Sequence, residues 1–574
     1  MDNRKYNIYF HTHTVSGIII CVLLYVMFFA GSFAFFKDDI AAWQKNSSYV
    51  TAKQTTRRDY NAVLDSLGRH HQLRGRDVEF FLQKTGASAY VTMSASNDSI
   101  VKKEAAAQAK AKAKAKGKGG PGGEKRKRGR GRGRGRGGDD DAAAFSYDFA
   151  SKQEADYEKS YTMGEFLYRL HFLAPLNVVP IFLGSPFGYL LAGLVSFLFL
   201  FALLTGLLLH WNKIVSNFFT FRPWSKWKTV WTDLHTALGM ISFPFQLLFA
   251  ITGIVLIVNS VLVVPFAKFA YKGNTEKLFN ELQATDTTKY AYTYTPLPNQ
   301  LDLNRFVEQT ARRWPNSEIT RVAIRNYQDA NMHVLVLAAP HADASFSGSG
   351  KLIYRVRDQR VLAEESPTAH SSYVDKVRGL VYHLHFGDFG GRALRVLYFG
   401  LGLIGCIVII SGILIWLVAR DKVSTPPRER VFNFWTANVF LAICLSMLPV
   451  TAFTMIALLF LKNPGQSDIY HWYFYSWLVL GVYFIARKNI ALTNKQTLLL
   501  SVALCFLLPV LDGVVRNNWF WNTYAKGQFD ILFIDLLFLS LAGISTVALL
   551  KMRKPTAAAV PSEARLPATA VASR

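Results

Sequence analysis

The sequence predicts a polytopic α-helical membrane protein of about eight transmembrane helices carrying two small α+β domains outside the bilayer. Three observations carry that expectation. Apolar runs of about 20 residues recur along the chain, each long enough to cross a bilayer. Of 574 residues, 51% are hydrophobic and only 18% are charged, whereas a soluble chain carries about a quarter charged residues. Two long polar stretches separate the apolar runs and read as helix followed by alternating strands.

The spans are expected near 15–36, 188–210, 238–264, 394–418, 434–461, 470–486, 497–515 and 529–550. The first has no small-residue cleavage site after it and reads as an uncleaved anchor. Positive charge orients the set. Arg4 and Lys5, then Lys213, Arg222, Lys226 and Lys228, then Arg420, Lys422, Arg428 and Arg430, then Arg487, Lys488 and Lys495, then Lys551, Arg553 and Lys554 all fall on one side if eight spans are threaded. Both termini are then cytoplasmic, and the long segments 37–165 and 267–390 lie on the far side. Cys21, Cys406, Cys444 and Cys505 all sit inside apolar runs, so neither a disulfide framework nor a zinc site is expected.

The organisation that follows is a cytoplasmic N-terminus and first span (1–36), an outer domain (37–165), spans two and three (166–266), a second outer domain (267–390), span four (391–420), a four-span extension (421–554) and a cytoplasmic tail (555–574). In the second outer domain, residues 302–314 have helical periodicity and β-branched runs follow Pro315. The first outer domain has the same order but is interrupted at 102–144. Within that insertion, 102–136 holds fifteen Lys or Arg against two Glu, half of the net charge of +26. With no large apolar side chain it cannot offset the entropy of ordering, so it is expected to be disordered. Its placement outside argues against nucleic acid as a partner.

The most informative pattern is an internal repeat. His13-Thr-Val-Ser-Gly17 opens span one and His235-Thr-Ala-Leu-Gly239 opens span three, with Gly31 and Gly253 at identical spacing beyond. Tyr168-Arg-Leu-His171-Phe precedes span two and Tyr382-His-Leu-His385-Phe precedes span four. Thr205-Gly206 and Ser411-Gly412 close spans two and four. Parallel repeats imply a pseudo-two-fold axis along the membrane normal. His13 and His235 would face each other near one membrane surface, and His171 and His385 near the other. Two facing imidazoles in two tiers are what two bis-histidine haems b require. His210 competes for the inner tier, since Trp416 takes its place in the other copy. His11 and His383 stand two residues from the favoured histidines and are placed second. In the extension, Asp512, Asp530 and His471 read as interfacial, while Asp535 falls within span eight.

His-x-x-x-Gly opening a span, the TG pairs at 205–206 and 252–253, the LHF segments and the α+β outer domains resemble the PepSY-associated transmembrane family over about residues 8–420. That family includes iron-regulated inner-membrane proteins and haem-containing ferric-siderophore reductases. The resemblance implies periplasmic PepSY-like domains and b-type haem held by the membrane histidines. It implies electron transfer across the bacterial inner membrane from a cytoplasmic or quinol donor to a periplasmic ferric siderophore or other acceptor. The chain departs from the family pattern at Ala30-Gly31, in the basic insertion and in the four-span extension. A siderophore or small-solute transporter and a peptide-binding regulatory module without redox activity are the alternatives. Pro244 and Pro449 are the sites at which a transporter's broken helices would be sought.

Overall fold

The computed structural model describes residues 2–49, 58–83, 88–95, 100, 101, 103, 143–149, 152–179, 186–222, 224–274, 278, 290–298, 300–368, 373–420 and 424–552. All but a few residues of the 102–144 insertion, and all of the 555–574 tail, lie outside them. The chain divides into two compact units. One comprises 1–46, 162–266 and 384–574; the other comprises 47–161 and 267–383.

The first unit is helical. Its elements are α1 (Asn3–Ala34) and α2 (Lys37–Lys45). In the second unit, α3 (Tyr60–His70) precedes strands β1 (Arg76–Leu82), β2 (Ser88–Ala95), β3 (Ala143–Asp148) and β4 (Gln153–Ala155). The chain continues through α4 (Met163–His171), α5 (Phe187–His210) and α6 (Trp227–Ala270). Then come α7 (Leu303–Arg313), β5 (Ser317–Arg325), β6 (His333–Pro340), β7 (Gly350–Arg355) and β8 (Arg360–Glu365). Helices α8 (Tyr373–Phe386), α9 (Gly391–Arg420), α10 (Pro427–Leu445), α11 (Met447–Leu459), α12 (Gln466–Arg487), α13 (Ile490–Arg516) and α14 (Phe529–Leu550) complete the order.

Among the described residues, seven helical segments are long and apolar enough to cross a membrane: 3–34, 187–210, 228–258, 388–420, 427–459, 490–516 and 529–550. The chain is therefore a polytopic membrane protein. The expected span at 470–486 is a 22-residue helix, α12, but its first half, QSDIYHWYFYSW, is too polar and aromatic to count with the others. Helix α1 starts twelve residues before the apolar run expected at 15–36, so His13 lies inside the helix. Pro244 lies within an unbroken α6, whereas the 427–459 segment pauses at Ser446, between α10 and α11.

The sequence reading treats 37–165 and 267–390 as two separate small domains. The structure instead merges their strands into one eight-stranded antiparallel sheet, ordered β4-β3-β2-β1-β5-β6-β7-β8. Strand β1 pairs with β5 from Val78 opposite Ile324 to Phe81 opposite Arg321. Joining the two half-sheets removes an exposed edge from each. Glu79 on β1 reaches Arg325 at 2.7 Å and also pairs with Arg321, both on β5. Helices α3 and α7 meet in a reciprocal cap. Asp59 and Asp302 cap their own helices through Ala62 N–H (3.1 Å) and Arg305 N–H (3.3 Å). Asn61 accepts from Leu303 N–H and donates to Asp302, and Asn304 accepts from Tyr60 N–H and donates to Asp59, all at 2.8 Å. The core beneath gathers Tyr60, Leu67, Phe80, Val91, Phe306, Val322, Val336 and Leu352 from both halves.

Candidate functional site: two tiers of paired histidines

The repeat places four histidines in two pairs within the helical unit. His13 on α1 and His235 on α6 have ring centroids 6.2 Å apart, with planes at 75°. His171, ending α4, and His385, near the end of α8, have centroids 6.0 Å apart with planes at 40°. Helix α1 packs along α4, α5 and α9.

Each ring uses the same nitrogen to anchor itself. His13 Nδ1 lies 2.8 Å from Ala202 O and His235 Nδ1 lies 2.9 Å from Val408 O. His171 Nδ1 lies 2.7 Å from Met27 O. A carbonyl only accepts, so Nδ1 carries the proton in all three. His385 Nδ1 lies 2.8 Å from Thr252 Oγ1. That hydroxyl donates its own proton to Leu248 O at 2.6 Å, so it accepts from His385. In its neutral form each of the four imidazoles is thereby the Nδ1–H tautomer, whose Nε2 carries the lone pair. An Nδ1–H bonded to a carbonyl is the support that metal-binding histidines ordinarily have.

The repeated glycines make room for these rings. A Cβ on Gly31 would stand 2.5 Å from His171 Nδ1, and one on Gly206 would stand 3.0 Å from His13 Cε1. One on Gly412 would be 3.2 Å from His235 Cε1, and one on Gly253 would be 3.6 Å from His385 Cε1. Gly31, Gly206, Gly253 and Gly412 therefore each face a histidine from another segment. The hydroxyl residue before three of them serves the same rings. Thr252 accepts from His385, Ser411 Oγ approaches His235 Nδ1 at 3.4 Å, and Thr205 donates to Ala202 O, the acceptor of His13, at 3.1 Å. Ala30 stands at the fourth place, where the Met27 carbonyl alone anchors His171. The sequence reading placed the four histidines but not their acceptors. The Thr-Gly and Ser-Gly pairs were the available signal for Thr252 and Ser411.

His171 and His385 lie just outside the apolar segments, and burial pushes both imidazoles toward the neutral form. His385 falls to about 3, from burial first and the neighbouring His171 second. His171 is lowered by burial, against the hydrogen bond to Met27. Both are neutral, with the lone pair available, at any physiological pH.

His210 ends α5 near enough to His235 to interact electrostatically, but the ring that faces His235 is that of His13. Its counterpart Trp416 is buried, with the Arg420 guanidinium 5.3 Å from its ring centre. His11 is exposed beside Phe10, and His383 packs on Phe346 in the sheet-bearing unit. Among the described residues no three His, Cys, Asp or Glu side chains converge as a metal cage.

The extension holds a polar cluster that joins Asp512, expected at the interface, to Asp535, expected within span eight. Asp512 and Asp530 are fully buried, as is Asp535. Trp43 Nε1 donates to Asp535 Oδ1 at 3.0 Å. Arg516 donates to Trp43 O (2.8 Å) and Gln44 O (3.0 Å) and pairs with Asp512 at 3.4 Å, while Asn518 donates to Asp512 at 3.0 Å. His471 is exposed.

This geometry accompanies a sequence match. The family model described as the PepSY-associated TM region matches residues 10–419, which include all four paired histidines, His210 and both halves of the sheet. An uncharacterized protein of Pseudomonas aeruginosa is 27% identical over 263 residues, covering 44% of this chain and 63% of that protein. The matched region thus spans less than two thirds of that relative's length. The chain belongs to the PepSY-associated transmembrane family.

Proposed function

We propose that this protein is a haem-b electron-transfer protein of the bacterial inner membrane that reduces ferric siderophores or ferric iron in the periplasm. The observation that carries the reading is the separation of the paired rings. Two imidazoles that shared one metal through nitrogen, with bonds of about 2.0 Å and about 1.1 Å from nitrogen to ring centre, would stand up to about 6.2 Å apart. The two pairs stand at 6.2 and 6.0 Å. The residues fit the group in one other respect: every ring is held through Nδ1, so its Nε2 is left uncommitted. On the faces that bear His13 and His235, one turn further on, a Cβ at Gly17 or Gly239 would meet nothing within 4 Å, which suits a broad flat group beside the ring.

A b-type haem at each tier would supply a one-electron couple in a low-dielectric setting. His13 and His235 would hold one, and His171 and His385 the other, with His210 beside the inner pair. The chain's own contribution is placement. Its Nδ1–H bonds fix ring orientation and raise ligand basicity, and its glycines let the rings approach. Met27, which anchors His171, lies 14 residues along α1 from His13, about 21 Å at 1.5 Å per residue. The two tiers therefore stand near opposite limits of a hydrocarbon core of about 30 Å. Electrons from a cytoplasmic or quinol donor would reach a periplasmic acceptor by this route. Reduction of ferric iron weakens its hold on hard oxygen ligands and frees the metal.

The test is reduction of an external ferric hydroxamate by proteoliposomes whose membranes carry a reduced quinol as donor, read with a ferrous chelator. The wild type is expected to reduce it and His171→Ala and His385→Ala to lose that activity. Equal rates for wild type and both variants would exclude the outer pair from the path.

A further inference from the structure

The end of α9, Thr425 and the first turns of α10 line a cleft of about 420 Å³, through Ala419, Arg420, Thr425, Arg428, Glu429, Phe432 and Asn433. It contains no histidine and lies next to, not within, the paired tiers. Two guanidinium groups from different helices face it. Thr425 donates to Arg420 O at 2.8 Å and so closes the end of α9. Helix α10 starts at Pro427 with no side-chain cap. Its first N–H groups, at Arg428 and Glu429, have no acceptor within the helix, and the positive end of the helix dipole adds to the two arginines. Arg420 is steadied over Trp416.

A second observation points to a ligand. Asn433 is 6% exposed, and among the described residues its amide makes no hydrogen bond. Neither amide atom is sealed from solvent, so both are open to a group that enters the cleft. Phosphate oxygens satisfy such a set: two guanidinium forks, a helix N-terminus and an amide N–H. Glu429 on the same wall disfavours a bare dianion. It favours a phosphodiester that also carries a hydrogen-bond donor, such as an amine or hydroxyl.

The location selects the source. Apolar segments end at Arg420 and begin again at Pro427, so the cleft sits at a bilayer boundary. Phe432 and Val431 beside it are 65% and 38% exposed, as suits contact with acyl chains. Basic pockets between membrane helices are a recurrent form of headgroup site. We propose that this cleft binds the phosphodiester headgroup of a phospholipid bearing a donor group, such as phosphatidylethanolamine or phosphatidylglycerol. The proposal stands apart from the haem reading and does not depend on it.

Native mass spectrometry of the full chain, exchanged into nanodiscs of phosphatidylethanolamine, phosphatidylglycerol or phosphatidylcholine, tests it. The donor-bearing lipids are expected to be retained about ten-fold more than phosphatidylcholine, and Arg420→Gln/Arg428→Gln to lose about ten-fold of that retention. Asn433→Asp sets a like charge against the phosphate and should lose it too. Arg430→Gln, outside the cleft, should not. Circular dichroism and elution volume establish that each variant is folded. Retention unchanged in both the double variant and Asn433→Asp overturns the site. O-phosphoethanolamine forms the soluble arm. If it binds in an arginine-dependent way while no lipid is retained, the phosphate chemistry stands and the lipid source is overturned. If neither is bound by the wild type, the site is overturned altogether.

Discussion

Gly31→Ala isolates the fit between the repeated glycines and the histidine rings. The new Cβ would stand 2.5 Å from His171 Nδ1 and 2.8 Å from Cε1. Ordinary contact begins near 3.4 Å, so the ring must move by about 1 Å or α1 must yield. Overpacking of this kind costs about 1–3 kcal/mol. Displacement of Nδ1 also breaks the 2.7 Å bond to Met27 O, worth about 1 kcal/mol. Replacing a helical glycine by alanine returns about 1 kcal/mol in propensity, which leaves Gly31→Ala less stable by about 1–3 kcal/mol. The repeat supplies its own control. A Cβ at Gly253 would lie 3.6 Å from His385, so Gly253→Ala keeps the propensity gain without the clash and should be unchanged or about 1 kcal/mol more stable. The assay is unfolding of both variants in one detergent, with the gap between them expected at about 1–4 kcal/mol. If the two shift together, or Gly31→Ala is stabilised, the ring positions at the outer tier are wrong.

Two other predictions concern the rest of the molecule. Arg516→Ala removes the donor to two backbone carbonyls and the partner of a buried carboxylate; a loss of about 3–5 kcal/mol is expected, and unfolding within about 1 kcal/mol of wild type would refute it. In the sheet, burial alone would raise the Glu79 carboxyl, but Arg325 and Arg321 outweigh it and hold the group below its usual value of 4.5. Because the folded value is the depressed one, its stabilisation is full above about 4.5 and falls as pH drops toward the folded value. Glu79→Gln should therefore flatten the acid limb of unfolding, and an unchanged acid limb would show that the β1–β5 ion pairs contribute nothing.

Much of the membrane half was legible because bilayer length and histidine spacing are written locally. Apolar runs mark the spans, and a fixed offset of 222 residues relates His13 and Gly31 to His235 and Gly253. The acceptors of the rings were less legible, since three of the four are backbone carbonyls that no side chain advertises. The merger of the two half-sheets was hidden for another reason. Strands β1 and β5 are some 240 residues apart in sequence, and alternation says that a strand exists without saying what lies beside it. The paired Asp-Tyr-Asn at 59–61 and Asp-Leu-Asn at 302–304 were the available clue. Asp512 and Asp530 looked interfacial because they stand near the ends of apolar runs. Asp512 is instead covered, because Asn518 and the chain around Trp43 close over that end of α13.

The central claim is that each histidine pair holds one haem iron. Anaerobic reduced-minus-oxidised spectroscopy of the purified full-length protein, combined with pyridine haemochrome quantitation, tests it most directly. The account predicts two haems b per chain, both low-spin and six-coordinate, with His13→Ala or His235→Ala removing one and His171→Ala or His385→Ala removing the other. A folded, colourless preparation that takes up no haem, or a single haem that survives all four substitutions, would contradict it.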